Sequence, residues 1–233
     1  MDAFLTASFW IAVGQIILID IVLGGDNAVV IALACRGLPP KQRRLGIIYG
    51  TMGAIVLRVI LIAFALALLT VPYLKIVGGL LLVWIGVKLL AADDDGAHEN
   101  INASDKLWGA IKTVIIADLV MSIDNVLAIA GAAESAGQHQ MALVIFGLLV
   151  SIPIIVAGSQ IMLKLMERYP FIITFGAMLL GWIAGQMIYT DPVLKPHLPP
   201  EKFWEYALAA FGAVLVAGLG KFIQSRRAAR TSP

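Results

Sequence analysis

The sequence is short of charge and of cysteine. Only 14% of its 233 residues are charged and 60% are hydrophobic, whereas an ordinary soluble domain carries roughly 25% charged residues. This composition excludes an ordinary soluble domain and indicates an integral membrane protein. The single cysteine, Cys35, excludes an internal disulfide and a cysteine-rich metal site.

The chain also lacks the marks of a nucleic-acid-binding or secreted protein. Its 17 basic residues barely exceed its 15 acidic ones, and the basic residues cluster at the ends of apolar segments, so we expect no nucleic-acid partner. The N-terminus has neither the basic flank nor the small-residue cleavage site of a secretory signal. We therefore expect the first apolar segment to remain as a helix in the lipid bilayer.

Long apolar runs, in contrast, are abundant. A helix needs about 20 predominantly apolar residues to cross a bilayer, and runs of that length recur between stretches that contain charge, proline and glycine. The pattern predicts an all-α membrane protein with seven transmembrane helices. We place these spans at about residues 8–34, 45–69, 72–91, 108–132, 141–165, 170–190 and 204–223.

One stretch of the sequence occurs twice. Residues 20–32 (DIVLGGDNAVVIA) return as residues 118–130 (DLVMSIDNVLAIA), 98 positions later, with six identities. A second pair at the same offset, residues 72–86 and 170–184, shares proline, glycine, leucine and tryptophan positions. Two matches at one offset indicate an internal duplication. Each unit would hold three spans, an odd number, so the second unit would enter the membrane from the opposite side as an inverted repeat.

The duplication divides the chain into four parts. We expect a first three-helix repeat at residues 1–91, a polar cytoplasmic linker at 92–107, a second, inverted three-helix repeat at 108–190, and a tail at 191–233 that contains the seventh helix and a basic end. Lysine and arginine concentrate on the side that holds the linker and the tail, so this side should be cytoplasmic. The protein is then expected in the plasma membrane, with its N-terminus outside and its C-terminus inside.

Both copies of the repeated stretch place acidic residues inside apolar segments, where a carboxylate costs several kcal/mol. The candidate metal ligands are Asp20, Asp26, Asn27, Asp118, Asp124 and Asn125. Because Gly24 and Gly25 precede Asp26, we expect the first helix to open there. Asp20 and Asp26 would point to different sides of an unbroken helix, and an opened turn would let both face inward. By the repeat, the second set would arrive from the facing helix.

The ligands of such a site would all be oxygen atoms. Carboxylates and carboxamides suit Mn²⁺, Mg²⁺ or Ca²⁺, whereas copper and thiolate-bound zinc prefer cysteine or histidine, and no histidine lies in a predicted span. Because a carboxylate cluster also binds protons, proton or sodium exchange is compatible with it. Arg58, near the middle of the second predicted span, would balance charge in the empty site. The structural alternative is that the aspartates only cap broken helices or pair with Arg58 and with Gln15, Gln160 and Gln186.

With these motifs the chain resembles the TerC family of integral membrane proteins, and within it the short YjbE-like branch. The paired Asp-Asn motifs and the seven-span outline carry the likeness over nearly the whole chain. The resemblance implies a fold like that of the lysine-exporter superfamily, manganese efflux as in several members, and a metal-binding role for the six residues above. The second copy has Ser122 and Ile123 in place of the glycine pair, which leaves open whether both helices open.

Several functions remain in competition. The first is a secondary transporter, not an enzyme, that exports a divalent cation by alternating access, with Mn²⁺ foremost and Mg²⁺ or Ca²⁺ as alternatives. The second is an exporter of an amino acid or another small organic solute, which would need basic groups or helix N-termini to bind a carboxylate. The third is an intramembrane aspartyl protease whose two acids share a proton. A purely structural or assembly protein is the last option, and a homo-oligomer is compatible with all of them.

Overall fold

The computed structural model describes residues 7–23, 25–64, 71–92, 103–134 and 140–231. Within those ranges the chain forms eight α-helices and one short 3₁₀ turn, with no β-strand. The predicted all-α class is confirmed. In chain order the helices are α1 (Ala7–Leu23), α2 (Gly25–Cys35), α3 (Pro40–Ala63), α4 (Leu74–Ala91), α5 (Ala103–Glu134), α6 (Gln140–Arg168), α7 (Phe171–Tyr189) and α8 (Lys202–Thr231).

Five of the described helices are long and apolar enough to cross a membrane, namely α3, α4, α6, α7 and α8. The first predicted span corresponds to α1 and α2, which have 17 and 11 residues and lie on either side of Gly24. Because Gly24 is outside the described residues, the opening predicted there stays a prediction, as does the total of seven spans. Residues 93–102 of the predicted polar linker also lie outside them.

The second copy of the repeated stretch lies in a single helix. α5 runs without a break for 32 residues through Ser122 and Ile123, the positions that stand where the first copy has its glycine pair. Serine and isoleucine cost a helix less than glycine does. The Ser122 hydroxyl also donates a hydrogen bond to Asp118, one turn earlier on the same face (3.2 Å). The second copy therefore does not open at this position.

Gly50 and Gly147 make close contacts between helices of the two predicted repeat units. A Cβ atom added at Gly50 on α3 would lie 3.0 Å from Cγ1 of Val114 on α5, and one added at Gly147 on α6 would lie 2.6 Å from Cγ2 of Ile16 on α1. Val114 and Ile16 are 98 residues apart, which is the offset of the duplication. Helix α3 thus contacts α5, and α6 contacts α1, through glycines that are 97 residues apart.

Helix α8 packs against α4 and α7, the third helices of the two predicted units. A Cβ atom added at Gly212 on α8 would lie 2.1 Å from the carbonyl oxygen of Gly181 on α7, and one added at Gly220 would lie 2.6 Å from Cδ2 of Leu90 on α4. Close backbone approach through small residues is typical of helix packing in membranes. Of these two neighbours of α8, α4 also contacts α5 and α7 also contacts α2.

Candidate cation site

Arg58 is the centre of a buried polar cluster. It lies on α3 and is only 2% exposed. Its Nη1 group forms an ion pair with Oδ1 of Asp20 on α1, and its Nη2 group forms one with Oδ1 of Asp118 on α5. Its Nε–H donates a hydrogen bond to the hydroxyl oxygen of Ser122 (3.0 Å). One guanidinium group thus joins the first aspartate of both repeat copies.

Asp118 receives hydrogen bonds from three helices. Besides Arg58 on α3, the side-chain amide of Asn27 on α2 donates to Oδ1 of Asp118 (2.9 Å), and Ser122 on α5 donates to Oδ2 (3.2 Å). Helix α2 therefore places the asparagine of the first copy against the first aspartate of the second copy. Hydrogen bonds to a charged group are roughly twice as strong as neutral ones, so this arrangement fixes the Asp118 carboxylate.

Several oxygen atoms of the same residues and their neighbours are buried without a hydrogen-bond donor among the described residues. They are Oδ2 of Asp20, Oδ1 of Asp26, Oδ1 of Asn27 and Oγ1 of Thr51. Leaving a buried polar atom unpaired costs about 1–3 kcal/mol, and folded proteins contain few such atoms. Oxygen is the ligand type that hard divalent cations prefer. These unpaired oxygen atoms are therefore available to bind a cation.

A small cavity lies beside the ion pairs. Its polar lining consists of Asn27, Thr51, Arg58 and Asp118, and the rest of the lining is apolar. The centre of a water molecule can move within a volume of about 10 Å³ in this cavity. This is room for roughly one water molecule. A fully hydrated ion does not fit this space, whereas an ion that has exchanged its water for protein oxygens does.

Three of the six predicted metal ligands meet in this cluster: Asp20, Asn27 and Asp118. A fourth, Asp26, is half-buried in the first turn of α2 and interacts electrostatically with Asp118 and Arg58. The first repeat copy therefore contributes residues from both sides of Gly24, with Asp20 on α1 and Asp26 and Asn27 on α2. The structure thus places the first copy's acids near one cation, Arg58.

The remaining predicted ligands, Asp124 and Asn125, follow Asp118 on α5. The side chain of Asp124 lies outside the described part of the chain, and Asn125 is half-buried. Among the described side chains, no three His, Cys, Asp or Glu residues are placed to hold a metal together. Convergence of all four aspartates stays a prediction.

Three polar residues around the acids are absent from the predicted set: Ser122, Thr51 and Ser151, a buried residue of α6 that interacts with Asp20. Ser122 is one turn after Asp118 and therefore on the same face of α5, which is a signal that the sequence contains. Thr51 precedes Arg58 by seven residues, nearly two full turns of α3, so these two side chains also share a face. Helical spacing from Asp118 and from Arg58 would have identified Ser122 and Thr51.

The cluster has a negative formal charge. Asp20 and Asp118 contribute two carboxylates, whereas Arg58 supplies one positive charge to both. Asp26 adds a further carboxylate close by. Charges interact more strongly away from water, and a buried charge without a partner is costly. An additional cation would therefore be stabilised here.

Comparison with known proteins agrees with these motifs. Residues 5–228 match the family described as Integral membrane protein TerC family. The chain is 45% identical over 177 residues to the Uncharacterized membrane protein YjbE of Bacillus subtilis (strain 168), which covers 76% of this chain and 78% of that protein. It is also 27% identical over 215 residues to the Uncharacterized membrane protein YceF of the same organism, with 89% and 81% covered. No solved structure gives a significant match.

A more distant relative extends the comparison to a second bacterium. The UPF0053 inner membrane protein YgdQ of Escherichia coli (strain K12) is 24% identical over 177 residues, which covers 69% of this chain and 73% of that protein. All three relatives are membrane proteins by name, in agreement with the five long apolar helices. The match to residues 5–228 and the 45% identity show that the chain belongs to the integral membrane protein TerC family.

Proposed function

We propose that this protein is a secondary transporter that exports a divalent metal cation, and that Mn²⁺ is the ion its ligands fit best. The observation that carries the proposal is the buried pair of Asp20 and Asp118, joined by a single guanidinium beside unpaired oxygens of Asn27 and Thr51. Acidic residues inside a membrane protein are costly and generally mark ion pathways. A site with surplus negative charge and free oxygen ligands binds cations.

The size and chemistry of the site favour manganese. The oxygen ligands suit Mn²⁺, Mg²⁺ and Ca²⁺ better than softer ions. The cavity beside the acids has room for roughly one water molecule. Mg²⁺ gives up its water reluctantly, and Ca²⁺ takes six to eight ligands at longer distances. An intermediate ion that exchanges water readily and accepts a compact oxygen site therefore fits best.

The proposed architecture is seven transmembrane helices, formed by two inverted three-helix repeats and a C-terminal helix, as in the lysine-exporter superfamily. The corresponding contacts of Gly50 with Val114 and of Gly147 with Ile16 support a symmetric relation between the units. Asp20 and Asp118 occupy equivalent positions and bind the same guanidinium. Rocking of one unit against the other would then expose the acids alternately to each side.

The distribution of basic residues supports the orientation. Arg36, Arg43, Arg168, Arg226 and Arg227 lie at helix ends on the side that we propose to be cytoplasmic. This orientation puts the N-terminus outside and the C-terminus inside a bacterial plasma membrane. Export from the cytoplasm then corresponds to uptake by everted vesicles.

The geometry is less favourable for the competing functions. An exporter of amino acids would need a basic group for the substrate carboxylate, whereas the guanidinium of Arg58 is already bound to two aspartates. An aspartyl protease needs two acids that share a proton and activate water. Here the guanidinium of Arg58 lies between the two acids and binds both of them. We therefore propose a transporter rather than an enzyme.

The test is cation uptake into everted membrane vesicles that contain the native chain. We expect Mn²⁺ to enter faster than Mg²⁺, Ca²⁺ or Zn²⁺, because the site combines oxygen ligands with little room for water. Vesicles from cells that lack the protein supply the background for each ion. If Mn²⁺ uptake does not exceed this background, the proposed function is wrong; if Mg²⁺ or Ca²⁺ enters faster, only the ion is wrong.

A further inference from the structure

The guanidinium of Arg58 directs each of its three nitrogen groups at the candidate site. Nη1 binds Asp20, Nη2 binds Asp118 and Nε–H donates to Ser122 at 3.0 Å. These two aspartates come from different repeat units, on α1 and α5. An arginine that extended its charged group to the membrane surface would keep that group in water. Arg58 is instead only 2% exposed, and its guanidinium is bound on all sides by these residues. The position of Arg58 thus calls for a role at the site itself.

We propose that Arg58 is a built-in counter-cation, which occupies Asp20 and Asp118 whenever the exported ion is absent. This inference rests on the proposed function and concerns the return of the empty transporter. The cation and the guanidinium bind the two acids in turn, so the acids are never left without a positive partner.

The guanidinium and an ion cannot both bind Oδ1 of Asp20 and Oδ1 of Asp118. Arg58 uses Oδ1 of both aspartates, and the adjoining cavity holds roughly one water molecule. An ion that binds Oδ1 of both carboxylates must therefore displace the guanidinium. Because arginine keeps its charge in proteins, it leaves the acids by moving rather than by losing a proton.

A second carboxylate is available to the displaced side chain. Asp26, half-buried at the start of α2, already interacts electrostatically with Arg58, and its Oδ1 has no hydrogen-bond donor among the described residues. Movement of the guanidinium toward Asp26 would free Asp20 and Asp118 for the ion while keeping Arg58 paired. The motion also gives a structural difference between the loaded and the empty transporter.

This role predicts that net export and exchange depend differently on Arg58. Net export requires the empty site to return, and without Arg58 two uncompensated carboxylates would have to remain buried during that step. Exchange of Mn²⁺ for Mn²⁺ returns a loaded site and does not need the arginine. The two modes are separated in proteoliposomes by following radioactive Mn²⁺ with and without unlabelled Mn²⁺ on the opposite side.

We expect Arg58→Met to lower net export at least about tenfold more than it lowers exchange, a barrier difference of only about 1.4 kcal/mol. Arg58→Lys, which retains the charge, should restore part of net export. Native net export in Arg58→Met would overturn the counter-cation role, and so would loss of both modes with normal folding. If the native chain moves no Mn²⁺ in either mode, the proposed function fails first.

A milder variant tests the same idea where Arg58→Met fails to fold. Ser122→Ala removes the acceptor of the Arg58 Nε–H and the donor to Oδ2 of Asp118. The internal competitor is then held less firmly and Oδ2 is freed for the ion, so the apparent affinity for Mn²⁺ should rise by up to about tenfold. The matched control is Ser159→Ala, since this buried serine bonds only its own helix at Ile155 (2.8 Å). Lower affinity in Ser122→Ala would overturn the proposal, because competition predicts a gain.

Discussion

Manganese export by the Asp118→Asn variant is expected to fall by at least about thirtyfold. The substitution keeps the size of the side chain but removes a carboxylate that accepts hydrogen bonds from Asn27, Arg58 and Ser122. Removing one member of a buried charge pair costs about 2–5 kcal/mol, and each 1.4 kcal/mol is a factor of about ten. The measurement is Mn²⁺ uptake into everted vesicles, normalised to the amount of protein in the membrane.

The matched control is Asp105→Asn on the same helix. Asp105 is exposed in the first turn of α5, so its replacement changes the charge of α5 without touching the buried cluster. We expect native uptake from this variant. Equal uptake by Asp118→Asn and Asp105→Asn would remove Asp118 from the ion site.

The Arg58→Met variant is expected to lose much of its stability when metal is absent. Breaking a buried ion pair by removing one partner typically costs about 3–5 kcal/mol, and here two carboxylates, Asp20 and Asp118, lose the same partner. Mn²⁺ should replace the missing charge, because a ligand at a hundred times its dissociation constant stabilises a folded protein by about 2.7 kcal/mol. The thermal melting temperature in detergent, with and without Mn²⁺, measures both effects.

Comparison with the native chain makes this result specific. In the native protein Mn²⁺ must first displace Arg58, so the same concentration of Mn²⁺ should raise the melting temperature less than in Arg58→Met. Lys112→Met, at an exposed position of α5, controls for loss of a positive charge and should melt as the native chain does. A native melting temperature for Arg58→Met without metal would mean that the two acids do not need the guanidinium.

The sequence was sufficient to locate the acids and the family. A carboxylate inside an apolar segment is rare enough to be informative by itself, and the offset of 98 residues paired Asp20 with Asp118 before any contact was known. The same offset pairs Ile16 with Val114, the residues that Gly147 and Gly50 contact. Hydrophobic length likewise predicted the all-α class, which the described helices confirm.

The arrangement around those acids could not be derived in the same way. Helix α5 continues through Ser122 because local helix propensity and packing together favour the helix there. Comparing the two copies of the motif does not reveal how these two effects combine. The ion pairs of Arg58 join residues 38 and 60 positions apart, so they depend on how α1, α3 and α5 pack.

The most direct test of the account is a Mn²⁺ titration of the purified protein, with free Mn²⁺ followed by electron paramagnetic resonance. We predict that the native chain binds Mn²⁺ at a single saturable site and that the double variant Asp20→Asn/Asp118→Asn, folded as judged by its melting curve, binds none there. Native affinity in the double variant would place the ion elsewhere and contradict the claim that these two aspartates bind it.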